Sequence, residues 1–313
     1  MARYAMVRLL QAPVVLLVLI TISFFLIRFA PGNPFSGDRN VDPQVMAALE
    51  AKYRLDRPLA VQYGCFLADL AKGDLGPSIK HKGHSVTEII ARALPASMLL
   101  GGLALCLALG MGLILGTIAA LHQNSARDVG AMLLAVIGIS LPTFVIGPML
   151  QILFAMKLDW LPLTGYEGIR APVYLILPAL TLAFPFAARI ARLARAGMLE
   201  VLQQDYIRTA RAKGLPERIV ILRHALRGAL MPVVSYLGPA IASVTTGSLV
   251  VEMIFGIPGL GSKFVESALN RDFTLVIGTV IVYGTFIVIC NLIADLAYGL
   301  LDPRVRFQEA GNA

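Results

Sequence analysis

Two histidines, His81 and His84, stand in the stretch HKGH, a spacing at which both imidazoles could meet one metal ion on a helix. Gly83 between them weakens such a helix. No Cys and no further His lies nearby. The pair therefore reads as a solvated loop, and no metal ligand is assigned. Catalytic spacings are missing elsewhere. There is no G-x-x-x-x-G-K-[ST] to cradle a phosphate and no H-E-x-x-H for metal-assisted hydrolysis, and GISLP at 138–142 lacks the last glycine of a nucleophile elbow. No catalytic residue is assigned, and the chain is expected not to be an enzyme. The chemistry that remains is charge set against hydrocarbon. DYIRTARAKGLPERIVILRHALRG, residues 205–228, gathers Lys and Arg in a chain of mean hydropathy +0.75. Glu252 ends an uncharged run just before FGIPGLGSKF (255–264), where Gly256, Pro258 and Gly259 allow tight turns. Those four residues form a candidate outer gate. An ionisable residue at membrane depth is a functional hypothesis by default; a hydrogen bond that fixes the loop is the other reading of Glu252.

The elements that must position these residues are membrane helices. The 313 residues are 57% hydrophobic and 15% charged, against about 25% charged in a soluble domain. Six runs lack Asp, Glu, Lys and Arg: 9–27, 93–126, 129–156, 171–188, 228–251 and 273–294. Each is near or above the roughly 20 residues a helix needs to cross hydrocarbon. Backbone polar groups in lipid must be satisfied within the segment, so the runs read as six transmembrane helices of an all-α integral membrane protein. The net charge of +8 fits Lys and Arg collected on the cytoplasmic side, not nucleic acid, since no soluble basic domain exists. Arg3 and Arg8 precede the first run, which exceeds the 7–15 residues of a signal core and is followed by no A-x-A site, so it reads as an uncleaved span. Cys65, Cys106 and Cys290 show no disulfide or metal spacing.

The short loops give the orientation. Residues 189–227 carry nine Lys or Arg against Glu200, Asp205 and Glu217, and Arg304 and Arg306 follow the last run. This bias predicts both termini inside. The layout is then an N-terminus and first helix at 1–29, an outer segment at 30–92, a five-helix core at 93–300 with an inner loop at 196–228, and an inner tail at 301–313. In the outer segment, Val45, Leu49 and Tyr53 predict a helix starting at Asp42-Pro43. Val61, Phe66, Leu67 and Leu70 predict a second, opened by Pro58 and ended by Gly73 or Gly76. Trp160 and Tyr166 suit an interface, and Arg28 and Asp295 sit at span ends.

In the inner loop, 197–213 reads as one helix leaving the membrane, with Arg189, Arg192 and Arg195 placed to snorkel toward headgroups. Gly214 suits a left-handed C-terminal cap and Pro216 the first turn of a second helix. That second helix carries Ile219, Val220, Ile221, Leu222, Ala225 and Leu226, while Ala210 and Ala212 allow close approach. Two readings fit: an elbow docked in a partner's groove, or a basic loop on anionic lipid.

The stretch from Asp205 to Pro232 resembles the cytoplasmic coupling loop of ABC transporter permeases in the dipeptide, oligopeptide and nickel family, where RTARAKGL is a strong signature. ITISFFLIRFAPGNPFSG (20–37), EAKYRLDRPLAVQY (50–63), GDLGPS (73–78), TGSLVVEMIFGIPGLG (246–261) and LNRDFTL (269–275) are similar to the B-type subunit of its oligopeptide branch. The general importer motif has Glu-Ala-Ala where this chain has Arg208, Thr209 and Ala210, and Leu226 is followed by Arg227, with Pro232 later. The resemblance implies half of a translocation pore in a bacterial inner membrane. It implies coupling to an ATPase through Asp205, Arg208, Ala210, Arg211, Lys213, Gly214 and Leu215. It implies a second homologous permease, two ATPase subunits that bind ATP and Mg, an extracytoplasmic peptide-binding protein, and no cofactor in this chain. Dipeptides and nickel are the alternative cargoes. An ion-coupled secondary transporter is the remaining alternative, but the spans are uncharged at their centres and no internal repeat is apparent.

Overall fold

The computed structural model describes residues 2–29, 54, 56–81 and 83–301. The helix expected from Asp42-Pro43 and the tail with Arg304 and Arg306 lie outside them, as does the side chain of Asp295. The chain is an all-α, multi-pass membrane protein. Four helices are long and apolar enough to cross a membrane, and three further helix pairs pass the same test but are bent.

Helix α1 (Ala2–Phe29) ends against α2 (Leu59–Ala71). The Thr21 and Tyr63 hydroxyls lie 2.6 Å apart, and the rings of Phe24 and Phe66 stack at 5.4 Å. Pro58 caps α2, and Gly73, at φ +78°, turns the chain after it. Helix α3 (Val86–Leu121) starts two turns before the expected boundary, because Ser85 caps it by accepting from the amide of Glu88 at 3.1 Å.

The core is a seam between α3 and α6 (Val173–Leu202). Ala96, Leu100, Ala104, Ala108, Gly112, Gly116 and Ala120 recur every fourth residue on α3, and all are buried. They face Ala183, Ala187, Ala191 and Ala194 of α6, likewise buried. In lipid, helix association depends on packing, and small residues let backbones approach. A Cβ on Gly112 would stand 2.7 Å from the Ala187 carbonyl oxygen, and one on Gly116 would collide with that of Ala191.

The run 129–156, expected as one span, is two elements. Helix α4 (Ala126–Ser140) meets α5 (Thr143–Leu150, continued as a π-helix over Gln151–Lys157) at a bend of 111°. The cause is Leu141-Pro142. A proline disfavours helical backbone at the residue before it, and Leu141 is extended at φ −82°, ψ 124°. The inner loop also departs from expectation. Helix α6 stops at Leu202, Gln204 is extended, and a separate α7 (Asp205–Ala212) begins with an acidic first residue, which favours a helix N-terminus. Then follow α8 (Glu217–Ile219), a π-helical stretch Val220–Ala225, and α9 (Leu226–Ala229). Helix α10 (Met231–Phe255) leads through the Gly/Pro loop to α11 (Leu260–Leu269) and α12 (Phe273–Leu301).

Candidate coupling elbow and outer clamp

The inner elbow is built around a small apolar cluster. Ile207 and Ala210 of α7 turn back onto Met198, Val220, Ala225 and Ala229. The break at Gln203–Gln204 permits this return, which a straight 197–213 helix would not. Ala210 is therefore buried and supports the elbow from beneath, and much of the apolar face on 219–226 is internal; Ile219 and Leu222 remain exposed. Asp205, Arg208, Arg211, Lys213 and Gly214 are exposed, and Leu215 is half-buried against the cluster. Gly214 has φ +75° and its amide donates to the Arg211 carbonyl at 2.9 Å. This is the left-handed cap a glycine adopts without steric cost. Arg208 pairs with Asp205 at 3.2 Å. Arg211 grips Glu217 with two bonds, 2.6 and 3.2 Å, across the turn. That guanidinium holds the Glu217 carboxyl below its ordinary range. Glu217 was not picked out from the sequence; its signal is the charge complementarity across KGLP.

Two of the three arginines above the elbow have partners within the protein, unlike the snorkelling expectation; Arg192 is exposed. Arg195 makes a bidentate pair with Asp128 of α4, 2.6 and 2.7 Å, and Asp128 also accepts from the Asn124 amide at 3.0 Å. The Arg189 guanidinium lies over the ring of Tyr236 on α10, 5.7 Å from its centroid.

At the outer end, Glu252 is fully buried. The Ser97 hydroxyl of α3 donates to it at 2.7 Å, and the Ser262 amide of α11 donates at 3.1 Å. Ser97 in turn accepts from the Leu260 amide at 2.8 Å. One carboxylate thus clamps α3, α10 and the start of α11. Gly256 caps α10 at φ +67°. Gly259 lies so close that a Cβ there would strike the Glu252 carboxylate and the Ser97 hydroxyl. Gly256 and Pro258 are exposed, whereas Gly259 is buried. Pro258 borders a cavity of about 340 Å³ with His81, His84, Glu88, Tyr166 and Lys263. His84 contacts Glu88 at 3.2 Å, and among the described residues no group of three His, Cys, Asp or Glu is placed to hold a metal.

A second buried carboxylate at the outer end, Asp272, was not identified from the sequence. It accepts from the Ser78 hydroxyl, from the Ile79 and Lys80 amides at 3.1 and 3.2 Å, and from the Leu275 amide at 3.2 Å. It caps α12 and fastens the outer segment to it. Its signal is an Asp just before a charge-free run.

Residues 112–307 match the family model described as "Binding-protein-dependent transport system inner membrane component", and residues 1–100 match its N-terminal companion. The chain belongs to this family of inner membrane transport components. Among its relatives are two proteins named "Oligopeptide transport system permease protein OppB", from Haemophilus influenzae and Escherichia coli. Each is 48% identical over 307 residues, covering 98% of this chain and all of the relative. A Bacillus subtilis protein named "Dipeptide transport system permease protein DppB" is 45% identical over 311 residues, covering 99% of this chain and all of the relative. A crystal structure described as an amino acid ABC transporter with histidines shares the fold, with TM-score 0.50 and 18% identity over 68% of this chain and 94% of that one. As a member of this family, the chain is a multi-pass inner membrane component of a multi-subunit import system, and not an enzyme. The elbow and the clamp sit at opposite ends of the α3–α6 seam of this transport component.

Proposed function

We propose that this chain is the permease subunit of an ATP-driven importer for oligopeptides, forming half of the translocation pore. The single observation that carries the reading is its likeness to the OppB proteins, which runs over 98% of the chain and the whole of each relative. In this reading six spans cross the membrane with both termini inside. Two ATPase subunits hold ATP and Mg, a second homologous permease completes the pore, and an extracytoplasmic binding protein delivers peptide. The exposed apolar residues of α1 and α4, among them Leu10, Val14, Val129 and Leu133, face lipid or the second permease.

Coupling falls on the outward side of the elbow: Asp205, Arg208, Arg211, Lys213 and Gly214, with Ala210 and Leu215 holding it from within. A partner that changes shape on ATP binding needs a contact stiff enough to pass the motion on. The Arg211–Glu217 staple and the buried cluster supply that stiffness. At the other end, Glu252, Gly256, Pro258 and Gly259 form the outer gate, with Glu252 as its hinge pin.

The test is ATP-dependent peptide uptake by the assembled transporter in vesicles, with crosslinking from Arg208→Cys. Wild type takes up peptide, Gly214→Glu abolishes uptake, and the crosslink joins an ATPase. Full uptake in Gly214→Glu, with crosslinks to lipid alone, refutes docking at the elbow. The Bacillus subtilis relative supports a dipeptide as the second reading of the cargo; uptake compared across peptides of increasing length separates the two.

A further inference from the structure

Three arginines on α6 have a setting that neither the elbow nor the clamp uses. A groove of about 630 Å³ runs between α4 and α6, walled by Met132, Ile139, Arg189, Arg192, Leu193 and Arg195. Its size lies in the range of ligand sites. Arg195 is fixed by Asp128, whose two oxygens it occupies. Arg189 and Arg192 are exposed, and among the described residues that line the groove there is no carboxylate.

Arg189 and Arg192 stand at the inner end of their span. They follow directly on the charge-free run 171–188, where the helix leaves the hydrocarbon for the inner loop. Across the groove, Met132 and Ile139 belong to the charge-free run of α4. A guanidinium there reaches water or an anion at the interface along its apolar stem. Arg189 is already held in place over Tyr236 of α10. Two guanidiniums, three residues apart on α6, thus border one groove with apolar neighbours, each with the planar fork that grips a carboxylate.

We propose that the α4–α6 groove binds the C-terminal carboxylate of a peptide in transit, with Arg189 and Arg192 as its cationic contacts and the Asp128-bound Arg195 as a fixed edge. Every linear peptide carries that group whatever its side chains, so the contact is blind to sequence. The inference rests on the importer reading above and adds the point at which this chain touches cargo.

The test uses the assembled transporter in vesicles, with Cys65, Cys106 and Cys290 replaced by Ser and Ala196→Cys placed on the groove rim. A charged, membrane-impermeant thiol reagent is applied, and its labelling rate is followed. The introduced thiol labels from water. A tripeptide with a free C-terminus slows labelling about tenfold or more, and the same peptide as its C-terminal amide does not. Adding Arg192→Gln removes the difference, and Arg192→Lys restores part of it. Absence of labelling places the groove in lipid and overturns the proposal, as does equal protection by acid and amide. Labelling that follows the anionic-lipid content of the vesicles assigns the groove to a phospholipid headgroup and also overturns it. Stimulation of ATP hydrolysis by the binding protein, measured on the same vesicles, keeps the importer reading separate: it persists when only the carboxylate site fails.

Discussion

Replacing Glu252 by Gln leaves shape nearly unchanged and removes the charge on which the outer clamp depends. Glu252 accepts from the Ser97 hydroxyl and the Ser262 amide at 2.7 and 3.1 Å, and Ser97 is committed to the Leu260 amide. A carboxylate presents acceptors on both oxygens; an amide presents one acceptor and one donor group. With its carbonyl oxygen on the Ser262 amide, the Gln turns its NH₂ to the Ser97 hydroxyl, which then accepts instead of donating; both bonds survive, but neither has a charged acceptor. A bond to a charged acceptor is worth about 1.5–3 kcal/mol and a neutral one about half that, so the two weakened bonds together lose about 1.5–3 kcal/mol and local opening of the loop becomes about ten- to 150-fold easier. Hydrogen exchange of the purified protein, read on fragments covering 256–264, is the direct assay. The amides of Leu260 and Ser262 exchange faster by that factor, while fragments of the α3–α6 seam do not change. Peptide uptake falls with assembly of the transporter intact. Protection of 256–264 within twofold of wild type refutes the clamp, and normal uptake by a loosened loop refutes its part in the gate.

Gly116→Ala costs about 1–3 kcal/mol by overpacking against the Ala191 carbonyl, whereas Gly110→Ala, with nothing within 4 Å of the new methyl, is neutral or gains up to about 1 kcal/mol; thermal unfolding in detergent compares the two. Asp272→Ala removes the cap of α12 and the acceptor of the Ser78 hydroxyl and two outer amides. It costs about 2–4 kcal/mol, and limited proteolysis shows faster cleavage within 73–84.

The membrane helices were legible because hydrocarbon punishes charge wherever it falls, and residues such as Arg92, Lys157 and Glu252 mark the limits of the runs. The elbow was legible at Gly214, where backbone geometry is a local demand. What stayed hidden was non-local. Glu252 could be singled out, but Ser97 lies 155 residues away, and Asp272 meets Ser78 across 194. The pairing of Asp128 with Arg195 turned expected headgroup contacts into an internal strut. The inward face of Ala210 depends on the chain returning at Val220, which helical periodicity in 205–212 alone does not specify. Leu141-Pro142 was in plain view, yet a long uncharged run outweighed it.

The seam between α3 and α6 has a mechanical corollary. Two rods notched into each other backbone to backbone, as at Gly112 and Gly116, do not slide or flex independently. A tilt imposed at the foot of α6 must reappear at the head of α3, where Ser97 holds its latch, as on the two arms of a seesaw. The pivot is a pair of missing side chains, and the throw at either end is fixed by how little room they leave.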